Sequence, residues 1–200
     1  MKLVLWDFDG PITNTLNMTW RLRNMEYPEL TLAQYVAIHE GNFFDGIAKL
    51  GLKRRQEIDY GSMYHKAILN SPLVPGIVDS IRELSQDFEM SIISGNDSGA
   101  IREFLALHGI LSHFKMIWGS DHEKSKVEKF RTAFKFHKIT ACDTVYITDI
   151  PGDIKEAREV GVGCIAVTWG FCPREMLLPL NPLAIVESPS SLVDIVKKQF

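Results

Sequence analysis

The stretch LVLWDFDGPI, residues 3–12, places two aspartates one residue apart at the end of a short apolar run. The run Leu3–Trp6 has the length and composition of a buried strand, and Gly10-Pro11 marks a turn directly after it. Asp7 and Asp9 therefore stand where a strand stops, which is where an open α/β sheet carries its functional groups. A plain turn with an aspartate cap would use the same residues, so this stretch alone leaves both interpretations open.

The pattern of the chain changes twice after this turn. Apolar side chains spaced three or four residues apart predict four helices, over residues 14–26, 31–39, 43–50 and 53–69. After the punctuating stretch at residues 72–76, strands and helices alternate to the C-terminus. The predicted helices there cover residues 77–87, 97–108, 125–137 and 153–160, the predicted strands cover 89–94, 116–118, 144–148 and 163–168, and a last strand and helix share 184–199.

Such alternation, with apolar strands rich in Val and Ile, predicts an α/β fold: a Rossmann-like parallel sheet with helices on both faces. The all-helical block is then an insertion after the first strand, a small cap over the strand ends. We therefore expect an α/β core of residues 1–13 and 73–200, with residues 14–72 forming the helical cap.

Size and charge limit the classes of function. The 200 residues are 46% hydrophobic, which suits one domain with an insertion. A formal net charge of -3 gives no electrostatic footprint for nucleic acid, and the densest basic spot, Lys53-Arg54-Arg55, is interpreted as the solvated face of a helix. We expect a monomer or small homo-oligomer without a nucleic-acid partner.

Neither a targeting signal nor a paired-cysteine pattern is recognisable in the sequence. No apolar stretch approaches the ~20 residues of a membrane helix, and the N-terminus leads straight into a strand, so we expect a cytoplasmic protein with no membrane partner. The three cysteines lack CxxC spacing, which indicates neither a disulfide framework nor a zinc site. Cys164 is predicted to be a strand residue in the core.

Two more predicted strands end in polar residues. Ser94-Gly95-Asn96 follows the strand at 89–94 and opens a helix, where backbone amides and a hydroxyl could bind an anion or simply cap the helix. Asp149 and Asp153 follow the strand TVYIT, four residues apart. Asp153 can cap the next helix, whereas Asp149 is costly to bury at a strand end unless it is paired or well hydrogen-bonded.

A lysine near the start of the helix at 125–137 completes the set. A cation there opposes the helix macrodipole, so we expect an anion nearby to compensate it, with a plain surface lysine as the alternative. Lys124 and Lys126 both suit the position. We favour Lys126, because Phe130 and Phe134 then follow it on one helical face.

These strand ends meet at one edge of a parallel sheet. Three close carboxylates cannot all ionise without a divalent cation, and an oxygen-only ligand set suits Mg²⁺, which keeps waters and binds substrate phosphate. The metal, the Ser94 hydroxyl, the amides after it and the lysine would hold a phosphate whose phosphorus stays open to in-line attack by one carboxylate.

The order of these motifs resembles the haloacid dehalogenase superfamily in its phosphatase branch. The chain carries DxDG at Asp7, Ser94 after an apolar strand, Lys126, and DxxxD at Asp149, and the resemblance spans residues 3–170. The segment VYITDIPGDIKEAREVGVGCIAVTWGF, residues 145–171, is similar to the last motif of phosphoglycolate phosphatase-like and β-phosphoglucomutase-like members. Their helical cap is inserted after the first motif, as predicted for this chain.

This resemblance implies a role for each aspartate. Asp7 would be the nucleophile that forms an aspartyl-phosphate, and its other oxygen would bind Mg²⁺. Asp9 would be the general acid and base, protonating the leaving alcohol and then activating water, while its backbone carbonyl also binds the metal. Asp149 would bind Mg²⁺, and Asp153 would hold the metal waters or orient Lys126.

The resemblance also implies how the phosphate of a small phosphorylated metabolite is held. Ser94 and the Gly95 amide would bind its oxygens, and Lys126 would bridge the phosphate and Asp7. The implied enzyme is a Mg²⁺-dependent phosphoric monoester hydrolase. Because Asp9 is present, the pattern differs from that of the dehalogenating members and of the ion-pumping ATPases.

The chain departs from the usual family pattern in four places. Pro11 replaces the common Thr after DxDG, and Asn14 stands where an acidic residue is frequent. Thr148 replaces a usual Gly before Asp149, and Val127 replaces the frequent Pro after the lysine. None of these removes a reacting group.

Other functions remain as alternatives. A phosphomutase would use a sugar hydroxyl in place of water. From a different class, a phospho-acceptor signalling module shares the Asp, Mg²⁺, hydroxyl and lysine, but it is shorter, orders them differently and has no helical insertion. A non-catalytic scaffold that binds phosphometabolites is opposed by the intact Asp7 and Asp9.

The cap is expected to select among phosphoglycolates, sugar phosphates and nucleotides, which the sequence does not rank. The cap residues that could face the site, each with packing or solvent exposure as the alternative, are Arg21, Arg23, His39, Asn42, Phe43 and Phe44. His122, beside the lysine segment, is interpreted as a surface residue.

Overall fold

A parallel sheet forms the centre of this computed structural model, which describes residues 2–41 and 43–200. Its six strands run in the order β3-β2-β1-β4-β5-β6, and every neighbouring pair is parallel. Their bounds are β1 Leu3–Trp6, β2 Glu89–Ile93, β3 Ile117–Trp118, β4 Thr144–Thr148, β5 Gly163–Val167 and β6 Ala184–Val186. The predicted α/β, Rossmann-like fold class is confirmed.

Ten α-helices are described around this sheet. They are α1 Leu16–Glu26, α2 Leu32–Ala37, α3 Phe43–Lys49, α4 Tyr60–Ile68, α5 Ile77–Asp87, α6 Ser98–Leu107, α7 Lys126–His137, α8 Pro151–Glu159, α9 Arg174–Leu177 and α10 Pro189–Lys197. Short 3₁₀ turns cover Ile38–Glu40, Leu111–His113, Ala141–Asp143 and Leu178–Leu180. The short α9 lies in a region where the sequence pattern predicted no helix.

The central strand shows why both faces of the sheet are covered. Val4 and Trp6 belong to one hydrophobic cluster, while Leu3 and Leu5 belong to a second cluster on the opposite face, as the two-residue period of a strand requires. All four side chains are completely buried. A strand buried on both faces reads as a continuous apolar run, which is the pattern at residues 3–6.

Helices α1 to α4 lie between β1 and α5 in the sequence, and the chain enters and leaves this segment at one place. The two connections pair with each other: Asn14 N–H donates to the Pro72 carbonyl at 3.1 Å and Val74 N–H donates to the Ile12 carbonyl at 3.0 Å. Thr13 and Leu73 form an antiparallel bridge between these hydrogen bonds. The division into a core and a cap at 13/14 and 72/73 stays a prediction that this pairing supports.

The predicted helix over 53–69 is wrong in its first half, because α4 begins only at Tyr60. The side chain of Asp59 accepts a hydrogen bond from Ser62 N–H at 3.1 Å and caps α4 there. Upstream, Arg55 N–H donates to the carbonyl of Glu26 at 2.8 Å, and the Arg54 guanidinium pairs with the buried Glu26 carboxylate. The segment Lys53-Arg54-Arg55 is therefore a non-helical connection tied to the end of α1, and its interpretation as a helix face was wrong.

Three further predictions concern single residues or segments. Cys164 lies in β5 and is buried, as predicted. Within the described residues, we find no helix with the length and apolarity needed to cross a bilayer. Asn42, named as a cap candidate, lies outside the described residues.

Candidate active site

A cavity of about 300 Å³ lies at the carboxyl ends of β1, β2 and β4, between the sheet and helices α1, α3 and α4. Residues from the strand ends and α7–α8 that line it are Asp7, Asp9, Ser94, Gly95, Asn96, Lys124, Lys126, Ile150, Asp153 and Glu156. The predicted site residues thus converge on one cavity, with the exception of Asp149, which lies behind its wall. A larger groove of about 730 Å³ beside α4 contains none of the predicted catalytic residues.

Asp7 continues the line of β1 by one residue, since its N–H donates to the Ile147 carbonyl at 2.8 Å. Its carboxylate accepts a hydrogen bond from Phe8 N–H at 2.9 Å and lies 3.2 Å from the Lys126 ammonium. Burial raises the pKa of Asp7 well above its usual range, and the neighbouring aspartates raise it further, against the opposing effect of Lys126. The carboxylate therefore needs more positive charge nearby than Lys126 alone supplies.

Asp9 is held by three neutral donors. Thr15 Oγ1 donates to Oδ1 at 2.7 Å, Tyr64 OH lies within 3.0 Å of both oxygens, and Asn96 Nδ2 donates to Oδ2 at 2.7 Å. Burial raises the pKa of Asp9, although these three hydrogen bonds favour the ionised form. A carboxyl group with a raised pKa and a fixed orientation is suited to giving and taking a proton.

Lys126 and Asp153 form the ionic centre of the site. The Lys126 ammonium contacts Asp153 Oδ2 as well as Asp7, and it donates to Tyr146 OH at 3.0 Å. Burial opposes its charge, but Asp153 and Asp7 hold the pKa of Lys126 above its ordinary value. Lys126 is 9% exposed and stays a cation near neutral pH.

Asp153 accepts two more hydrogen bonds besides that of Lys126. Tyr146 OH donates to Oδ2 at 3.0 Å and Thr148 Oγ1 donates to it at 2.8 Å. Burial alone would raise the pKa of Asp153, but the charge and hydrogen bond of Lys126, together with the Thr148 hydroxyl, outweigh it and keep the pKa below the usual range. Thr148, a departure from the family pattern, also accepts a hydrogen bond from Ile150 N–H at 3.1 Å and so orders the turn into α8.

Lys124 and Lys126, the two candidate lysines, differ in their burial and in their contacts. Ser125 caps α7, so Lys126 is its first residue, and Phe130 is buried one turn later. This places the Lys126 side chain on the buried face of α7, next to Asp7. Lys124 also lines the cavity, but it is exposed.

Asp149 is completely buried and has one oxygen with no partner. Its Oδ2 accepts a hydrogen bond from Phe171 N–H, whereas Oδ1 has no hydrogen bond to any described residue. Two glycines make room for this side chain, because a Cβ atom at Gly10 or at Gly170 would lie 2.1 Å from Oδ2. Burial raises the pKa of Asp149 to about 8. An orphaned carboxylate oxygen in such a place is suited to bind a cation.

Ser94 and Gly95 form the turn between β2 and α6. Ser94 is buried and its hydroxyl accepts a hydrogen bond from Asn96 N–H at 3.1 Å, so the hydroxyl proton is free to be donated elsewhere. Gly95 lines the cavity, and a Cβ atom there would meet no described atom within 4 Å. The cap of α6 is Asp97, which accepts from Ala100 N–H at 2.9 Å, so Ser94 is not needed as a helix cap.

The opposite wall of the cavity is mainly aromatic. Its residues are Thr19, Arg23, Tyr35, His39, Gly41, Phe43, Tyr60 and Phe171. Of the predicted cap candidates, Arg23, His39 and Phe43 line the cavity. Arg21 and Phe44 do not line it and are exposed, and His122 is a surface residue as interpreted. Arg21 and Phe44 were therefore wrong candidates.

Arg23 and His39 are fixed by their neighbours. The Arg23 guanidinium lies 3.6 Å from the ring centroid of Tyr60 and 4.7 Å from that of Phe43, and it pairs with Glu26 at 2.7 Å. His39 Nδ1 lies 2.6 Å from the Tyr35 carbonyl, which can only accept, so Nδ1 carries a proton. Burial lowers the pKa of His39, which favours the neutral ring.

Several residues of the site escaped the sequence analysis. Thr15, Tyr64 and Lys129 belong to no motif, whereas Asn96 and Tyr146 lie inside quoted stretches but were assigned no role. Tyr64 lies 55 residues from Asp9 in the chain, and nothing in the local pattern of α4 indicates that contact. Tertiary packing alone brings these groups together.

A family model described as haloacid dehalogenase-like hydrolase matches residues 4–167 of the chain. Among curated proteins, the phosphoglycolate phosphatase of Synechococcus elongatus is 24% identical over 206 residues, which cover 98% of this chain and 97% of that protein.

Solved structures share the fold over nearly the whole chain. A haloacid dehalogenase-like family hydrolase from Streptococcus pneumoniae superimposes with a TM-score of 0.82 at 22% identity, covering 98% of each chain. A structure described as a putative β-phosphoglucomutase from Thermotoga maritima superimposes with a TM-score of 0.71 at 15% identity, covering 99% of each chain. At 22% and 15% identity, the structural similarity shows a shared fold and nothing about activity.

Proposed function

The chain belongs to the haloacid dehalogenase-like hydrolase family, and from this premise we propose that it hydrolyses a small phosphate monoester through a phosphorylated Asp7. The predicted family and the predicted class, a phosphoric monoester hydrolase, are confirmed. The substrate, the metal and the covalent intermediate are our proposal. Membership of this family argues against a phospho-acceptor signalling module.

The observation that carries the proposal is the meeting of four groups on the walls of one cavity. A carboxylate with a cation beside it (Asp7 and Lys126), a carboxyl group with a raised pKa (Asp9) and a hydroxyl with a free proton (Ser94) all line it. Phosphate monoester hydrolysis is among the slowest uncatalysed reactions, needing up to ~10²¹-fold acceleration. A nucleophile, an acid and a charge clamp are what such acceleration requires.

In the first step, a carboxylate oxygen of Asp7 attacks the phosphorus atom. The bond between phosphorus and the ester oxygen breaks, and Asp9 gives its proton to the leaving alcohol. Asp7 now carries the phosphoryl group and Asp9 is ionised. Thr15, Tyr64 and Asn96 are placed to stabilise that ionised form.

In the second step, Asp9 takes a proton from a water molecule that attacks the same phosphorus. The bond between phosphorus and the Asp7 oxygen breaks, and inorganic phosphate leaves. Both residues return to their starting protonation states, so the cycle is balanced. Ser94 Oγ, the Gly95 amide and Lys126 would hold the phosphoryl oxygens throughout, and Asp153 would keep Lys126 in place.

We propose Mg²⁺ as the cofactor, held by Asp7, the Asp9 backbone carbonyl and Asp149. The orphaned Oδ1 of Asp149 and the charge deficit at Asp7 support this fit. Within residues 2–41 and 43–200 no three His, Cys, Asp or Glu side chains are grouped to hold a metal. The proposed set contains only two carboxylates, and Mg²⁺ commonly keeps several waters. When bound, the ion neutralises negative charge on the phosphate and on Asp7.

Phosphoglycolate is the first substrate to test, because it is the substrate named for the Synechococcus relative. The Arg23 guanidinium on the opposite wall could meet a negatively charged leaving group. Sugar phosphates and nucleotides are the further candidates. We also retain a cytoplasmic location, and a monomer or small homo-oligomer without nucleic-acid partner, as parts of the proposal.

The experiment is a phosphate-release screen over these three substrate groups, with Mg²⁺ and with a chelator. We expect Mg²⁺-dependent hydrolysis of at least one compound, and Asp7→Asn protein as the matched control should release none. Full activity in chelator would contradict the metal assignment. Transfer to a sugar hydroxyl would identify a phosphomutase, and failure on every compound would favour a non-catalytic phosphometabolite scaffold.

A further inference from the structure

Lys129 lies on α7, one turn after Lys126, and the proposed reaction gives it no part. It is 1% exposed, although lysine is almost never fully buried unless its charge is paired. Its ammonium donates a hydrogen bond of 2.6 Å to the backbone carbonyl of Ser94. The partner of this buried cation is therefore the main chain of the turn that faces the phosphate position.

Lys129 is a buried cation whose pKa depends on the charged groups around it. Burial and the nearby Lys126 cation lower the pKa of Lys129 to about 8, while Asp7, Asp153 and Glu156 oppose this effect. Lys129 therefore remains mostly protonated at neutral pH, at some expense in stability. An apolar side chain of similar length would fill the same volume without burying a charge.

We propose that Lys129 is a positioning residue that fixes the Ser94-Gly95 turn for phosphate binding. By holding the Ser94 carbonyl, its ammonium orients the peptide between Ser94 and Gly95, so that the Ser94 hydroxyl and the Gly95 amide face the cavity. Two of the lysines of α7 then have separate roles: Lys126 contacts Asp7 and Asp153, and Lys129 holds the turn. This inference rests on the proposed function, because it takes that turn as the phosphate site.

The test compares Lys129→Met with Lys135→Met, the same change at an exposed position of the same helix. Binding of inorganic phosphate in the presence of Mg²⁺ is measured by titration calorimetry, which needs no turnover. Because the Ser94-Gly95 turn would lose its anchor, we expect phosphate to bind roughly 10-fold to 100-fold more weakly to Lys129→Met. Lys135→Met should bind phosphate as the unaltered protein does.

Two further measurements separate positioning from a structural role. Lys129→Gln keeps a donor without the charge, so it should recover part of the lost affinity. The urea midpoint of Lys129→Met should be equal to or higher than that of the unaltered protein, because a buried charge has been removed. Hydrogen exchange at residues 94–96 should become faster in Lys129→Met only.

Three outcomes would contradict the inference about Lys129. Unchanged phosphate affinity in Lys129→Met, or a loss of folding in both Lys129→Met and Lys129→Gln, would make Lys129 a structural residue. If the unaltered protein does not bind phosphate, the turn is not a phosphate site and the inference fails. If it binds phosphate but hydrolyses no ester, the proposed function fails, and the comparison of the variants still decides the role of Lys129.

Discussion

The two walls of the cavity are built from different kinds of contact. On the sheet side, charged and hydroxyl groups hold one another, as where Asp153 accepts from Lys126, Tyr146 and Thr148. On the side of helices α1 to α4, which we call the cap wall, aromatic rings enclose Arg23, with Tyr60 at 3.6 Å and Phe43 at 4.7 Å. The sheet wall has the groups that phosphoryl transfer needs, whereas the cap wall offers surfaces against which a leaving group can pack.

Asp9 lies where these walls meet. Its donors Thr15 and Tyr64 belong to the segment of α1 to α4, and Asn96 belongs to the turn after β2. The acid and base of the proposed reaction is thus oriented jointly by both walls. Changes in the sheet wall should therefore act on kcat, and changes in the cap wall on KM and substrate choice.

The largest effect should come from Asp7→Asn in the sheet wall. Without the carboxylate nucleophile we expect kcat to fall by about 10⁴-fold to 10⁶-fold, as for nucleophiles of other enzymes. The fold should survive, since the amide fills the same volume and no longer buries a charge. The measurements are phosphate release and the far-UV circular dichroism spectrum. Near-normal turnover by a folded variant would remove Asp7 from the reaction.

A smaller loss is expected from Asp9→Asn. General acid–base catalysis contributes typically about 10²-fold to 10⁴-fold, so kcat should fall within that range. A substrate with a poor leaving group should be affected more than p-nitrophenyl phosphate, whose leaving group needs no proton. Values of kcat/KM for the two substrates test this, because they report the steps up to formation of phospho-Asp7 and not its hydrolysis. An equal loss of kcat/KM on both would argue against Asp9 as the acid.

The cap wall should show the opposite pattern. For Arg23→Met we expect KM for a carboxylated substrate to rise about 10-fold, the value of one charged hydrogen bond, while kcat changes little. Arg21→Met is the matched control, because Arg21 is exposed on the same helix and does not line the cavity. A fall in kcat with unchanged KM would break the proposed division between the two walls.

The smallest effect concerns stability, and it follows from the raised pKa of Asp149, about 8. The folded metal-free protein keeps a proton on this carboxyl that the unfolded chain releases at lower pH. The stability that the protonated Asp149 carboxyl contributes to the folded protein is therefore lost as pH rises from about 4 to about 8. Mg²⁺ binds the ionised form, so the gain in Tm on adding Mg²⁺ should be larger at pH 8 than at pH 5.5.

A ligand at 100 times its Kd stabilises by about 2.7 kcal/mol, which corresponds to several degrees in Tm. Thermal unfolding in Mg²⁺ and in chelator, at both pH values, checks this expectation. Asp149→Asn should lose most of the Mg²⁺-dependent gain. A gain that is equal at both pH values, or that persists in this variant, would contradict the assignment of Asp149.

The sheet wall could be predicted from the sequence because strand ends fix where side chains meet. The run Leu3–Trp6 and the strand Thr144–Thr148 are short, apolar and clearly bounded, so Asp7 and Asp149 could be assigned to one edge of the sheet. Thr148 shows the limit of that reasoning. The sequence shows only that Thr148 departs from the family pattern without removing a reacting group. In the structure its hydroxyl donates a hydrogen bond to Asp153.

The cap wall was harder to predict because a helical period does not say which neighbour a face meets. Arg21 and Arg23 are two residues apart on α1, and only the packed structure shows that Arg23 faces the cavity. The helix predicted over residues 53–59 was wrong for a related reason. Their pattern suits a helix, but hydrogen bonds to Glu26 hold that segment against α1 instead.

A phosphoryl group on Asp7 is the species that defines the proposed mechanism, and it can be trapped. Asp9→Asn protein is mixed with p-nitrophenyl phosphate and Mg²⁺, quenched in acid within the first turnover and analysed by peptide mass spectrometry. We predict a burst of p-nitrophenolate and a phosphoryl group on the peptide that contains Asp7, because hydrolysis of the intermediate is slowed. A burst without phosphorylation of Asp7, or phosphorylation at another residue, would show that Asp7 is not the nucleophile.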